Sequence, residues 1–252
     1  MPDTTYIFTS RFDIPEGSSE KFEHWCNTRH FPDLLKAGFQ SSVAFRSVQG
    51  EPQYLHLFEI PGMQVFDSPG MAKVCICDPS CPPGSCLASE DPNRPGAQAM
   101  AHFFLNSSRA VYETRALINA NPIPKDVPVR PNLHHASIQS PALFTARMDL
   151  IPSRAEHYLH WQEQQVFPEL VSIQGFRSGR IGRRIDNFKP DRIHEHVASE
   201  PEYIIMWELE SSEIYRDDNP GLAAARSKPE ASQMRTAVNR NLVNLSVRIF
   251  PT

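Results

Sequence analysis

Two imidazoles carry the chemistry that this sequence can offer. His30 sits in the run HWCNTRHFPDLLKAGF (24–39), two positions before Pro32. Histidine is the side chain whose unperturbed pKa lets it take and return a proton near neutrality. Pro32 removes one backbone donor, so a helix through this run is expected to break or kink there and aim His30 at the space between helix and sheet. Arg29 beside it is suited to fixing a carboxylate, enolate or phenolate, although adjacent helical residues need not face the same way. Tyr54 and His56 are two apart in QYLHLFEI (53–60), so a strand there shows both on one sheet face. With His30 and His56 in one cleft, an acid and a base with separated pKa values become available, Tyr54 being a possible partner. Trp25 would form cleft wall or core, and His102 is a third candidate near the cleft. The structural alternatives are a helix-terminal His30 that caps carbonyls and a His56 satisfied within its sheet layer.

Other clusters are weaker. Cys75, Cys77, Cys81 and Cys86 could wrap a zinc ion, but zinc knuckles are separated by longer loops, and this run is compressed and proline-rich. His194-Glu195-His196 is a loop pair of imidazoles. No glycine-rich phosphate loop, nucleophile elbow or H-E-x-x-H helix occurs. The expected site therefore uses neither metal nor cofactor.

The residues that position these groups are written twice. At an offset of 136, residues 8–32 align without a gap on 144–168, and nine of the 25 positions are identical. Chance would give roughly one or two. The match continues with 39–48 on 176–185, 54–60 on 203–209 and 68–73 on 219–224. Two copies imply a pseudo-symmetric pair, since a solenoid needs three or more.

Each copy reads as strand, helix, two strands, a weaker helix and a closing strand. IFTSRFDI alternates as a half-buried strand does. Ser18 or Ser19 is the expected N-cap of a helix running to Lys36, with FQSSVAFRSV and QYLHLFEI as the next strands. SRAVYETRAL (108–117) and VNLSVRIF (243–250) close the two units. The order β-α-β-β-α-β is that of the ferredoxin-like unit, an α+β fold. The first repeat spans 1–118 with a Cys- and Pro-rich insert at about 74–97, a Pro-rich linker spans 119–140, and the second repeat spans 141–252. The open faces of the two sheets are expected to pack against each other. Thr9, Arg11 and Asp13, repeated as Thr145, Arg147 and Asp149, would then form an ion network between the sheets.

Symmetry separates packing from chemistry. His24-Trp25 recurs as His160-Trp161, which favours a structural role for those histidines. His30 and His56 do not recur: Val166 and Ile205 stand in their places.

A unit of this order, with Trp, then His-x-Pro at the end of the first helix and Gly-Phe opening the second strand, resembles the dimeric α/β-barrel superfamily, its EthD-like branch above all. HWCNTRHFPDLLKAGF carries the motif in full; the second copy keeps Trp161, Pro168 and Gly175-Phe176 but lacks the histidine. Members usually assemble from two single-unit chains, so this chain would be such a dimer fused. The resemblance implies a ligand cleft beside His30. It implies a cofactor-free enzyme moving protons on an aromatic or polyketide-like substrate: a cyclase, dehydratase, isomerase or other lyase. A non-catalytic binding or stress-response module is the alternative. Haem-dependent relatives with fused repeats leave a third, which would require an axial ligand among His157, His160, His194 and His196.

Bulk composition excludes other classes. A net charge of −4 and a pI near 6.2 are not those of a nucleic-acid binder. No apolar run reaches the 18 residues of a membrane span, and the N-terminus has no secretory pattern. The expected protein is cytoplasmic, with a small apolar or aromatic metabolite as its partner and a homodimer possible.

Overall fold

The computed structural model describes residues 6–71, 104–119, 138–186 and 199–250. The first unit contributes β1 (Tyr6–Asp13), α1 (Ser19–Trp25), a π turn (Cys26–His30), α2 (Phe31–Lys36), β2 (Ser41–Gln49), β3 (Tyr54–Ile60) and β4 (Leu105–Asn119). The second repeats the order with β5 (Ala142–Leu150), α3 (Pro152–Trp161), a π turn (Gln162–Val166), α4 (Phe167–Val171), β6 (Phe176–Arg184) and β7 (Tyr203–Leu209). It ends with α5 (Pro220–Arg226), α6 (Pro229–Arg235) and β8 (Val238–Phe250). Short 3-10 turns follow β3 and β7 at Met63–Asp67 and Ser212–Tyr215. The Cys75–Cys86 cluster, His102, His194, His196 and most of the linker lie outside the described residues.

The expected pair of ferredoxin-like sheets is present, and its edges are joined. The strands close into one barrel in the order β1-β3-β2-β8-β5-β7-β6-β4. Closure explains why the last strands run longer than their apolar cores foretold. The first half of β4 pairs with β1, and its second half, Tyr112–Asn119, pairs with β6 of the other unit. In the same way β8 pairs with β5 and then crosses to β2. No edge is left to template aggregation at these seams.

Strand alternation sorts side chains into three layers. Ile7, Val43, Phe45, Leu55, Leu57 and Tyr112 fill the barrel interior together with Leu143, Ile204 and Met206. Phe12, Tyr54, Phe58 and Val111 face outward under α1 and α2, whose Phe22, Trp25, Phe31 and Leu34 meet them. The second unit builds its own outer layer from Leu159, Phe167, Ile205, Trp207 and neighbours.

Charges also enter the barrel, at its two ends. Arg11 and Arg147 lie at one end as foreseen, but their acid is Glu200 and not Asp13 or Asp149. Arg147 Nη1 donates to Glu200 Oε1 at 2.7 Å, both groups being almost wholly buried, and Ser108 also donates to that oxygen. Asp13 and Asp149 sit at the rim and accept from the backbone N–H groups of Gln53 and Glu202. At the other end Arg180 meets Glu59 at 3.2 Å, while Glu208 accepts from Ser178 and from the backbone of Gln139 and Ser140. Thus Ile138 and Ser140, read as the tail of a linker, are buried parts of the barrel.

Two local expectations need correction. Ser18 occupies the N-cap position of α1, yet its side chain makes no capping bond. His24 and His160 are not packing residues; both are exposed on their helices.

Candidate active site

The break at Pro32 takes the form of a π turn, and Pro168 is preceded by its twin. Proline has no N–H to give the carbonyl four residues back, so the chain widens by one residue before it. Phe31 N–H accordingly bonds to Cys26 O, five positions earlier. In a regular α-helix five positions advance about 140° beyond a full turn, which would carry residue 30 away from residue 25. The wider turn instead sets His30 over Trp25, the rings stacked at 4.8 Å with an interplanar angle of 15°. The sequence therefore aims this imidazole through Pro32, by a device more specific than a kink.

His56 reaches the same layer from β3. Its ring is enclosed edge-on by Phe12 and Phe31, each at 4.8 Å, with Phe22 and Phe58 at 6.1 and 6.2 Å. It is 3% exposed. Among the described residues neither His56 nor His30 makes a hydrogen bond, so neither imidazole is held in one tautomer by a structural partner.

Strand register reveals a group that spacing alone could not. Ser10 on β1 pairs with His56 on one side and with Arg109 of β4 on the other. Side chains directly opposite share a face, so Arg109, Ser10 and His56 form one transverse row beneath the helices. Arg109 meets no carboxylate among the described residues. Its guanidinium lies 5.9 Å from the centre of the Phe104 ring.

Burial sets the electrostatics. His30 keeps partial exposure, but desolvation lowers its pKa to about 4, with the Arg109 charge as the second cause. Desolvation pushes His56 well below the ordinary histidine value, and the charges of His30 and Arg109 add to it. Arg109 itself falls to about 10 through desolvation. Both imidazoles are thus neutral at pH 7 and able to accept a proton, and among the described residues the fixed charge that acts on both is the positive one of Arg109.

The other expected site residues have different placements. Tyr54 is buried and stacked on Phe12 at 5.6 Å, but its hydroxyl donates to Glu23 Oε1 at 2.8 Å, and Arg46 also bonds to Glu23. That hydroxyl ties β3 to α1 and is not left for a substrate. Arg29 lies 3.9 Å from Asp33 along its own helix. Trp25 is buried with its indole N–H unpartnered among the described residues.

The second unit lacks the whole polar row. Val166, Ile205 and Ala146 replace His30, His56 and Ser10, and register places Val243 where Arg109 stands, since Val243 pairs with Ala146. An open groove of about 410 Å³ on that unit is lined in part by Phe144, Tyr215, Arg226 and Val243. Arg226 there is already paired with Asp217 at 2.6 Å, and the groove offers no imidazole. Haem fits no better among the described residues. His157 and His160 are exposed on α3, and apolar side chains fill the layer under that helix. No group of side chains among the described residues is arranged to hold a metal ion, and no described helix is long and apolar enough to cross a membrane.

No family model matches the sequence, and no curated protein does. Solved structures match along nearly the whole chain. An anthrone oxidase-like protein covers 98% of this chain and 92% of its own, at 12% identity and a TM-score of 0.56. A protein proposed to be a monooxygenase, from Fusobacterium nucleatum subsp. nucleatum, covers 99% and 94% at 9% identity and 0.55. A mutant chlorite dismutase from Candidatus Nitrospira defluvii covers 96% and 91% at 7% identity and 0.51. At such identities the likeness is one of fold. The chain has the ferredoxin-like dimeric α/β-barrel fold, with both halves in one polypeptide.

Proposed function

We propose that this protein is a small-molecule enzyme that works by proton transfer without a cofactor, on an aromatic or polyketide-like substrate. The observation that carries this reading is the convergence of two neutral imidazoles, His30 and His56, in the aromatic layer of one unit only. Phe12, Phe22, Trp25 and Phe31 favour a flat apolar substrate there. One imidazole takes a proton from an acidic C–H next to a carbonyl. The C–H electron pair moves into the carbonyl, leaving an enolate or phenolate oxygen, and the charge pair imidazolium–enolate remains neutral overall. The proton then passes from this imidazolium to the second imidazole, which delivers it at another atom and returns both rings to the neutral form. Cyclisation, loss of water or isomerisation can each follow, which gives a lyase or isomerase.

The structural neighbour named anthrone oxidase-like supports a second fate for the same anion. Molecular oxygen adds to the carbanion, the methylene becomes a carbonyl, and water leaves; the proton abstraction is shared. Oxygen uptake with anthrone as probe separates the two, since a lyase consumes none. To separate an enzyme from a binding module, His30→Ala and His56→Ala are compared with wild type for turnover and for anthrone affinity. A general base contributes about 100- to 10,000-fold, so turnover falls by that order while affinity stays within a few-fold. Parallel losses of both would leave binding alone.

A further inference from the structure

We infer that Arg109 is the anion-holding residue of this site and that the substrate presents it with an oxygen that is negative on binding or becomes so during reaction. The inference rests on the proton-transfer reading and narrows the substrate to a phenol, an enolisable ketone or a carboxylic acid. Its basis is geometry. Arg109 stands in the row with Ser10 and His56, under the helix that carries His30, and meets no carboxylate among the described residues. The buried Arg147 and Arg180 each pair with an acid, Glu200 and Glu59, and Arg11 shares the charge of Glu200 at longer range. The partly buried Arg109 has neither kind of partner among the described residues. A guanidinium taken from water without a counter-charge is costly unless something anionic joins it. The twin unit, which lacks both imidazoles, has Val243 at this position, so guanidinium and imidazoles occur together or not at all.

The row also explains the division of labour. A guanidinium offers planar donors suited to a carboxylate or to the oxygen of an enolate. Placed beside two neutral bases, it stabilises the anion that proton removal creates and does not compete for the proton. Charge develops there in a water-poor layer, where a fixed cation acts most strongly.

The test uses unreactive probes, so that it stands apart from turnover. Binding of 2-naphthoate, 2-naphthol and the neutral 2-naphthalenemethanol is measured by calorimetry for wild type, R109M, R109K and H30A, with circular dichroism to confirm folding. Wild type is expected to hold naphthoate, or naphthol above its own pKa, about 10- to 100-fold more tightly than the neutral alcohol. R109M loses that preference and keeps the alcohol, R109K retains part of it, and H30A retains it fully. Preference for naphthoate at every pH marks a carboxylate substrate; preference confined to ionised naphthol marks a phenolate or enolate. An unchanged preference in R109M, or no measurable binding of any probe to wild type, overturns the assignment. If H30A loses turnover while R109M leaves anion preference intact, the proton-transfer reading survives and only the role of Arg109 falls.

Discussion

Replacing Glu200 by glutamine tests how the barrel tolerates charge in its interior. Glu200 is the acid that faces both Arg11 and Arg147, and it accepts from Ser108 and, at 3.4 Å, from Tyr112. Arg11 is already poorly served: its Nε and Nη1 atoms are buried without partners, and burial together with Arg147 lowers its pKa to about 9. Glutamine keeps the shape and part of the hydrogen bonding but leaves two guanidinium groups with no carboxylate. Breaking a buried pair in this way costs about 3–5 kcal/mol. For a chain of this size that is a fall in Tm of roughly 6–20 °C. Burial pushes the Glu200 carboxyl up, but Arg11 and Arg147 prevail and hold it below its ordinary value. Its contribution is therefore present above the unfolded carboxylate range and is lost as pH falls through the lower folded pKa. Urea unfolding at pH 7 and at about pH 3.5 measures both effects. The wild type and E200Q should differ widely at pH 7 and converge in acid. Arg11→Met in the E200Q background should recover part of the loss, because it removes the less satisfied of the two cations. A loss below about 1 kcal/mol at pH 7, or a gap independent of pH, would refute the reasoning.

Two further predictions concern the site. Tyr54→Phe removes the bond to Glu23 but no acid–base group, so it should lower stability by about 1–3 kcal/mol and leave kcat within a few-fold; a large kcat loss in folded protein would restore Tyr54 to the catalytic set. The acid limb of kcat/KM should fall near pH 4 and not near pH 6.5, because His30 is charged only below its depressed pKa. Removal of the Arg109 charge by R109M should move that limb upward, and a limb that stays fixed would show that Arg109 does not act on the imidazoles.

Much of this was legible in the residues, for identifiable reasons. The duplication shows itself because Phe8, Trp25, Phe31 and Pro32 serve the same packing in both units. His30 and His56 stand out because the second copy has Val166 and Ile205 in their places. Arg109 escaped notice because its position depends on which residue of β4 lies opposite Ser10, and register across strands about 100 residues apart is not written in local periodicity. Glu200 escaped for a related reason: it lies in a segment between β6 and β7 and enters the barrel only once the two sheets have closed. The alternation correctly put Thr9 and Arg11 on one face, but it could not show the register shift between Arg11 and Asp13 that leaves Asp13 at the rim. Tyr54 looked like a partner for His56 because they share a face; the hydroxyl reaches beyond that row to α1.

The central claim is that the His30 ring, held over Trp25 by the π turn, takes a proton from carbon. Solvent deuterium exchange into the methylene of anthrone, followed by NMR under nitrogen, measures that step without regard to what the anion later becomes. Wild type should accelerate exchange over buffer, and His30→Gln, folded to the same Tm within a few degrees, should lose about 100-fold or more of the acceleration. Equal exchange in the two proteins would contradict the account.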